Sequence, residues 1–157
     1  MNKWFEVSVK ATVTEESGKE KKRTEKYMMD GFSFTEVEAR AIEELMPFYA
    51  KGDMEVLKIS PMRVGEVFIK EGKERIFKCK INLITLDERS GKEKKHPSYI
   101  YVTADSTNEA EKLLTENMKG TLSDWVLESV AETKILEVLP YSLAKGAKKM
   151  EEEKEEA

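Results

Sequence analysis

Gly18-Lys19-Glu20-Lys21-Lys22 returns unchanged as Gly91-Lys92-Glu93-Lys94-Lys95, 73 positions on (91 − 18). Internal similarity at a fixed spacing is the signature of a chain built from repeated units. Five residues alone carry little in a Lys- and Glu-rich sequence, but the flanks agree. Upstream, Phe5, Val7, Val9 and Ala11 alternate with polar residues, as do Phe77, Cys79, Ile81 and Leu83 at an offset of 72. Downstream, Tyr27 matches Tyr99, and Thr35-Glu36-Val37-Glu38-Ala39 matches Ser106-Thr107-Asn108-Glu109-Ala110. Val56-Leu57 then matches Val126-Leu127, and Glu66-Val67-Phe68 matches Glu137-Val138-Leu139.

Each unit reads as strand, strand, helix, strand. Alternation over about residues 3–14 marks a sheet with one buried face, carrying Phe5, Val7, Val9, Ala11 and Val13 inward. Glu15-Glu16-Ser17-Gly18-Lys19 is a turn cluster, so a second strand at about 23–32 returns antiparallel. The second unit repeats this near 76–87 and 95–104, through Asp87-Glu88-Arg89-Ser90-Gly91. Thr35 with Glu38, and Ser106 with Glu109, have the spacing of a capping box. Val37, Ala41, Ile42 and Leu45 form the apolar stripe of the first helix, which Pro47 ends; Ala110, Leu113, Leu114 and Met118 form the second. Ala39 and Ala110 are expected to face the core. The last strands are expected to be long, at about 54–69 and 124–139, with Pro61 forcing a bend, a bulge or an edge position.

These elements predict an α+β protein of two internally repeated ββαβ units, forming a largely antiparallel two-layer α/β sandwich. The expected organisation is one domain over 1–141, in halves of about 1–72 and 73–141 around one core, then a charged, disordered tail at 142–157. The outer sheet face is expected to be polar, with Glu6, Ser8, Lys10, Thr12, Lys78, Lys80 and Asn82, and Trp4 and Ile84 as apolar exceptions. Spacing leaves open whether the two halves share one sheet.

Trp4-Phe5-Glu6-Val7, Ser33-Phe34-Thr35-Glu36-Val37-Glu38-Ala39, Ile84-Thr85-Leu86-Asp87 with Ser90-Gly91-Lys92-Glu93-Lys94-Lys95, and Glu132-Thr133-Lys134-Ile135 together resemble an uncharacterised single-domain family of unknown function. That family is common in Bacteroidetes and their phages. The resemblance reaches to about Tyr141 and implies a bacterial or phage cytosolic setting. It supplies no catalytic or ligand residues.

Composition narrows the chemistry. The 157 residues include 27 Lys+Arg against 31 Asp+Glu, a net charge of −4, which opposes a wholesale polyanion binder. One Cys and one His exclude a disulfide framework and a zinc site built from those residues. The first residues lack the apolar run of a signal peptide, and no stretch is apolar enough for a membrane span, so a cytoplasmic protein is expected. The 8 glycines stand singly, leaving no phosphate cradle, and no nucleophile-elbow, P-loop or calcium-loop motif occurs. No catalytic residue, metal or cofactor is therefore expected. His96 reads as one more basic residue at a hairpin shoulder, and Cys79, on the inward phase, as a buried hydrophobe.

Two binding readings lead, and an enzyme that works with its abundant carboxylates alone ranks below both. A duplicated unit with open sheet edges suits a non-enzymatic binding or adaptor role, through a protein partner or self-association. Alternatively, the tips form two basic prongs for nucleic-acid phosphates, from Lys19, Lys21, Lys22 and Arg23 with Lys92, Lys94, Lys95 and His96. Tyr27, Tyr99 and Tyr101 would then offer stacking surfaces. Against this, Lys on hairpin tips also serves simply to keep sheets from pairing edge to edge, and Glu20 and Glu93 partly cancel the charge.

Overall fold

A computed structural model describes residues 3–50 and 52–141; the predicted charged tail at 142–157 lies outside the described residues. The elements run β1 (Lys3–Thr14), β2 (Glu20–Gly31), α1 (Phe34–Leu45), β3 (Met54–Met62), β4 (Glu66–Phe68), β5 (Arg75–Leu86), β6 (Glu93–Ala104), α2 (Thr107–Asn117), β7 (Asp124–Glu132) and β8 (Ile135–Leu139). The protein is α+β, with two helices and two four-stranded, mostly antiparallel sheets, ordered β3-β1-β2-β8 and β4-β6-β5-β7.

The alternation seen in the sequence sets the faces. In β1, Phe5, Val7, Val9 and Ala11 are buried, while Lys10 between them is exposed. In β5, Phe77, Cys79 and Ile81 are buried. Each hairpin partner places its own apolar residues on the same face, Tyr27 across from Val7 and Met29 across from Phe5. Side chains paired across an antiparallel ladder share one side of the sheet. Val37, Ala41 and Leu45 of α1 pack on that side of the first sheet. Ala110, Leu113, Leu114 and Met118 do the same on the second. Among the described residues these side chains form two helix-on-sheet clusters.

Helix starts are capped as serine and glutamate allow. Ser106 accepts the Glu109 amide at 3.2 Å, as predicted. On α1 the cap is Ser33, accepting the Glu36 amide at 3.2 Å, not Thr35 with Glu38. The Glu36 carboxylate reaches back to the Phe32 amide, at 3.3 Å, so it is this pair that closes the box. Each such cap contributes about 1 kcal/mol. Val37, Ala41 and Leu45 of the expected stripe are buried; Arg40 joins them, while Ile42 and Ala39 are exposed. Leu45 ends α1, and a single 3₁₀ turn through Pro47 follows.

β2 and β6 have the same succession of exposed and buried positions along their 12 residues. Their caps, Ser33 and Ser106, are also 73 apart. Tyr27 therefore shares its strand position with Ile100, and not with Tyr99 as the local match of letters suggested. The opposite face is also less polar than expected, because Met28, Ile76 and Tyr101 are buried there.

The long last strands are broken. β3 pairs with β1 and β7 with β5, as antiparallel edges that bulge at Leu57 and Glu128. Pro61 lies in edge strand β3, where its missing N–H costs no central ladder bond. After the breaks the chain changes sheets. β4 pairs parallel with β6, and β8 pairs parallel with β2. Gly65 makes the first change possible: its amide donates to the Tyr99 carbonyl at 2.8 Å, where an added Cβ would meet Ser98 Oγ at 2.2 Å. At the second, the amide and hydroxyl of Thr133 both donate to the Ile76 carbonyl, at 2.9 and 2.8 Å. One compact unit accordingly takes the described residues up to Met62 and from Ile135 on, and the other takes Arg63–Lys134. The sequence placed the halves at about 1–72 and 73–141.

Candidate binding surfaces

Both hairpin tips turn on a glycine in the left-handed region, Gly18 at φ 85° and Gly91 at φ 68°. Lys19, Lys21, Lys22 and Arg23, and Lys92, Lys94, Lys95 and His96, are all exposed. Acidic neighbours take some of them: Lys21 lies 4.0 Å from Glu15, Arg23 4.0 Å from Glu25, and Lys94 3.7 Å from Asp87. The Asp87 carboxyl is held below its usual range, first by the Arg89 amide and then by Ser90 and Lys94. Among the described residues, Lys19, Lys22, Lys92 and Lys95 form no ion pair.

The proposed stacking residues divide. Tyr27 and Tyr101 are buried, so neither presents a ring to solvent. The Tyr27 hydroxyl instead meets that of Tyr49 at 2.5 Å. Tyr99 is half-buried, with the Lys78 ammonium 4.6 Å from its ring centroid. A strand neighbour on the sheet thus already supplies the cation–π partner of that ring.

His96 sits opposite Leu83 on the ladder, its Nε2 3.0 Å from the Thr85 hydroxyl. A hydroxyl at a solvated hairpin does not orient an imidazole as a buried carboxylate would. Cys79 is fully buried, and desolvation pushes its thiol up to about 11, the opposite of what a reactive thiolate needs. Among the described residues no group of three or more His, Cys, Asp or Glu could hold a metal ion. No helix among them is long and apolar enough to cross a membrane.

The structure brings out a surface that the sequence reading passed over. Phe34 and Ile42 of α1, and Met46 at its C-cap, lie in one i, i+4 row, an apolar strip interrupted by the exposed Glu38. Phe32 and Phe48 flank the helix at its two ends, and all five side chains are 44–63% exposed. Counted 73 residues on, the corresponding positions are Asp105, Thr107, Thr115, Lys119 and Thr121, every one polar. Four glutamates, Glu36, Glu38, Glu43 and Glu44, stand on α1, and its sole basic residue, Arg40, is buried. The signal was in the letters, but it appears only when the helices are aligned on their caps.

The fold and these surfaces define an α+β protein of two helix-on-sheet units, whose distinctive exposed features are basic hairpin tips and one apolar, acid-rimmed helix face. The chain belongs to the family described as Domain of unknown function (DUF4494), whose model matches residues 3–141. No curated protein matches it.

Proposed function

We propose that this is a non-enzymatic binding or adaptor protein of the bacterial or phage cytosol, built from a duplicated ββαβ element. Its partner segment docks on the outer face of α1. The observation that carries this reading is the apolar strip of Phe34, Ile42 and Met46, flanked by Phe32 and Phe48, where α2 is polar at every matching position. Contiguous exposed apolar surface with a polar rim marks an interaction site. Glu38 and Glu43, the exposed glutamates of α1, favour one kind of partner: an apolar segment flanked by Lys or Arg, laid along the helix. A second copy of this chain would bring the same glutamates against each other. The non-enzymatic reading is supported by the state of the one imidazole, exposed beside a hydroxyl, and of the one thiol, buried and protonated.

The test uses a 14-residue Leu/Lys amphipathic peptide, followed by fluorescence anisotropy against the full chain. Binding is expected in the micromolar range, and the Ile42→Lys, Met46→Lys, Phe48→Lys triple variant should weaken it at least tenfold while keeping the wild-type far-UV spectrum. Equal binding to the variant, equal binding of a Leu/Glu peptide, or dimerisation of the wild type abolished by the variant would overturn the reading.

A second reading, nucleic-acid binding at the tips, is supported by the four lysines there that form no ion pair. Anisotropy with single- and double-stranded DNA and RNA at low and moderate salt tests it. Steeply salt-dependent binding lost on changing Lys19, Lys22, Lys92 and Lys95 to Glu is the expected result, and unchanged binding removes the tips.

A further inference from the structure

In the first unit, the space between the helix and the parallel edge strand is filled. The amide of Tyr141, just beyond β8, donates to Asp30 Oδ1 at 2.6 Å. The Tyr141 ring lies 4.8 Å from the Arg40 guanidinium. Arg40 Nη2 in turn donates to Glu44 at 3.0 Å and to the Leu139 carbonyl at 3.2 Å. A ring and a planar cation thus close the groove between α1 and β8.

The second unit has the same backbone arrangement with different side chains. Lys70 follows β4 as Tyr141 follows β8, and its amide is taken at 2.7 Å by Thr103 Oγ1, which stands next to last in β6 as Asp30 does in β2. Counted from the two serine caps, Leu113 stands where Arg40 does, and Asn117 where Glu44 does. Ring and guanidinium are therefore both replaced, and a groove of 460 Å³ opens between β4 and α2. Val67, Phe68, Ile69 and Leu113 give it apolar walls, with Lys70 and Glu116 among its polar lining.

We propose that this groove binds a planar aromatic ring bearing a hydrogen-bond donor, a phenol, in the position the Tyr141 ring occupies in the first unit. The volume lies in the range of small-ligand pockets, about 300–1,000 Å³. Neither Lys70 nor Glu116 forms an ion pair among the described residues. With Leu113 in the place of Arg40, the cation for the ring comes from Lys70 on the strand side of the groove, and the Glu116 carboxylate accepts a hydrogen bond from the phenolic O–H. The ring has two sources with this one chemistry, a tyrosine side chain of a partner polypeptide and a free small phenol.

Methyl NMR of the full-length protein tests this with p-cresol, N-acetyltyrosinamide and, as a non-aromatic control of similar size, 4-methylcyclohexanol. Saturable shifts of the Val67, Ile69 and Leu113 methyls are expected with p-cresol and not with the control. Lys70→Ser, an exposed change, should weaken p-cresol at least threefold. The filling variant Lys70→Tyr, Leu113→Arg, Asn117→Glu should abolish the response and raise Tm. Tighter binding of N-acetyltyrosinamide than of p-cresol assigns the ring to a partner's tyrosine; the reverse assigns it to a free phenol. No shift with either phenol, or an equal response to 4-methylcyclohexanol, overturns the proposal.

Discussion

Gly31 and Val37 touch at the closest approach that a glycine permits: a Cβ built on Gly31 would stand 2.6 Å from Val37 Cγ2. In the other unit the same two places hold Ala104 and Ala110, both fully buried. A methyl group on the strand there accompanies a smaller side chain on the helix. Gly31→Ala alone is expected to cost about 1–3 kcal/mol by overpacking, and Val37→Ala alone about 1–2 kcal/mol by opening a cavity. The double variant should be more stable than Gly31→Ala, a coupling of about 1 kcal/mol between neighbours. Urea unfolding of the four proteins measures it, and strict additivity would contradict the contact.

Which residues of α1 face the sheet has its own test. Ala41 and Ala110 are fully buried, whereas Ala39 faces solvent. Ala41→Asp and Ala110→Asp should each cost more than about 3 kcal/mol by burying a carboxylate without a partner. Ala39→Asp should stay within about 0.5 kcal/mol of wild type. Thermal unfolding of the three variants checks that Ala41 faces the sheet and Ala39 does not, where the sequence pattern turned both inward.

Two arginines look alike in a list of ion pairs and differ in consequence. Arg40 is buried, donating to the Asp30 carbonyl and lying 3.6 Å from the Asp30 carboxylate. Arg75 grips Glu132 through both oxygens, at 2.7 and 2.5 Å, but its side chain is 49% exposed. Removing one member of a buried network leaves the others uncompensated, so Arg40→Met should cost roughly 3–5 kcal/mol. Arg75→Met, screened by solvent, should leave the unfolding midpoint close to that of the wild type. Chemical denaturation measures both directly.

The Tyr27–Tyr49 pair predicts alkaline behaviour. Burial raises both hydroxyls above the usual tyrosine value of 10.0, Tyr49 more than Tyr27. Above that value the unfolded chain loses phenolic protons that the folded chain keeps, so stability falls as pH rises. The contribution is fully present below about pH 10 and is lost toward the raised folded values. Spectrophotometric titration should show two tyrosines ionising late, together with unfolding followed by circular dichroism. Tyr27→Phe with Tyr49→Phe should remove that late step.

Cys79 should behave as a core residue. With the thiol held at about 11 by burial, its reaction with a disulfide reagent at pH 8 should be at least about a hundredfold slower than after denaturation. Rapid labelling of the native protein would contradict its burial.

The sequence by itself determined what depends on neighbours along the chain. Alternation of period two fixed which side of β1 and β5 is apolar, and a glycine after a polar cluster fixed both hairpins. Ser106 with Glu109 marked the start of α2, and Pro47 the end of α1. The tips were legible as exposed lysines for the same local reason. Only the tertiary structure decided where β4 and β8 go, because the partner of a three- or five-residue strand is set by which distant edge it meets, and nothing in its own period records that. It also decided that Arg40 turns inward and Ile42 outward, since Arg40 is buried where Asp30 of β2 and Tyr141 beyond β8, two distant segments, join its helix neighbour Glu44 around it. Tyr27 and Tyr101 lost their place as stacking surfaces through burial, which depends on packing and not on residue type. The apolar strip on α1 and the groove beside α2 emerged when the two helices were aligned on their serine caps, a register that hydrogen-bond geometry supplies and letter matching missed.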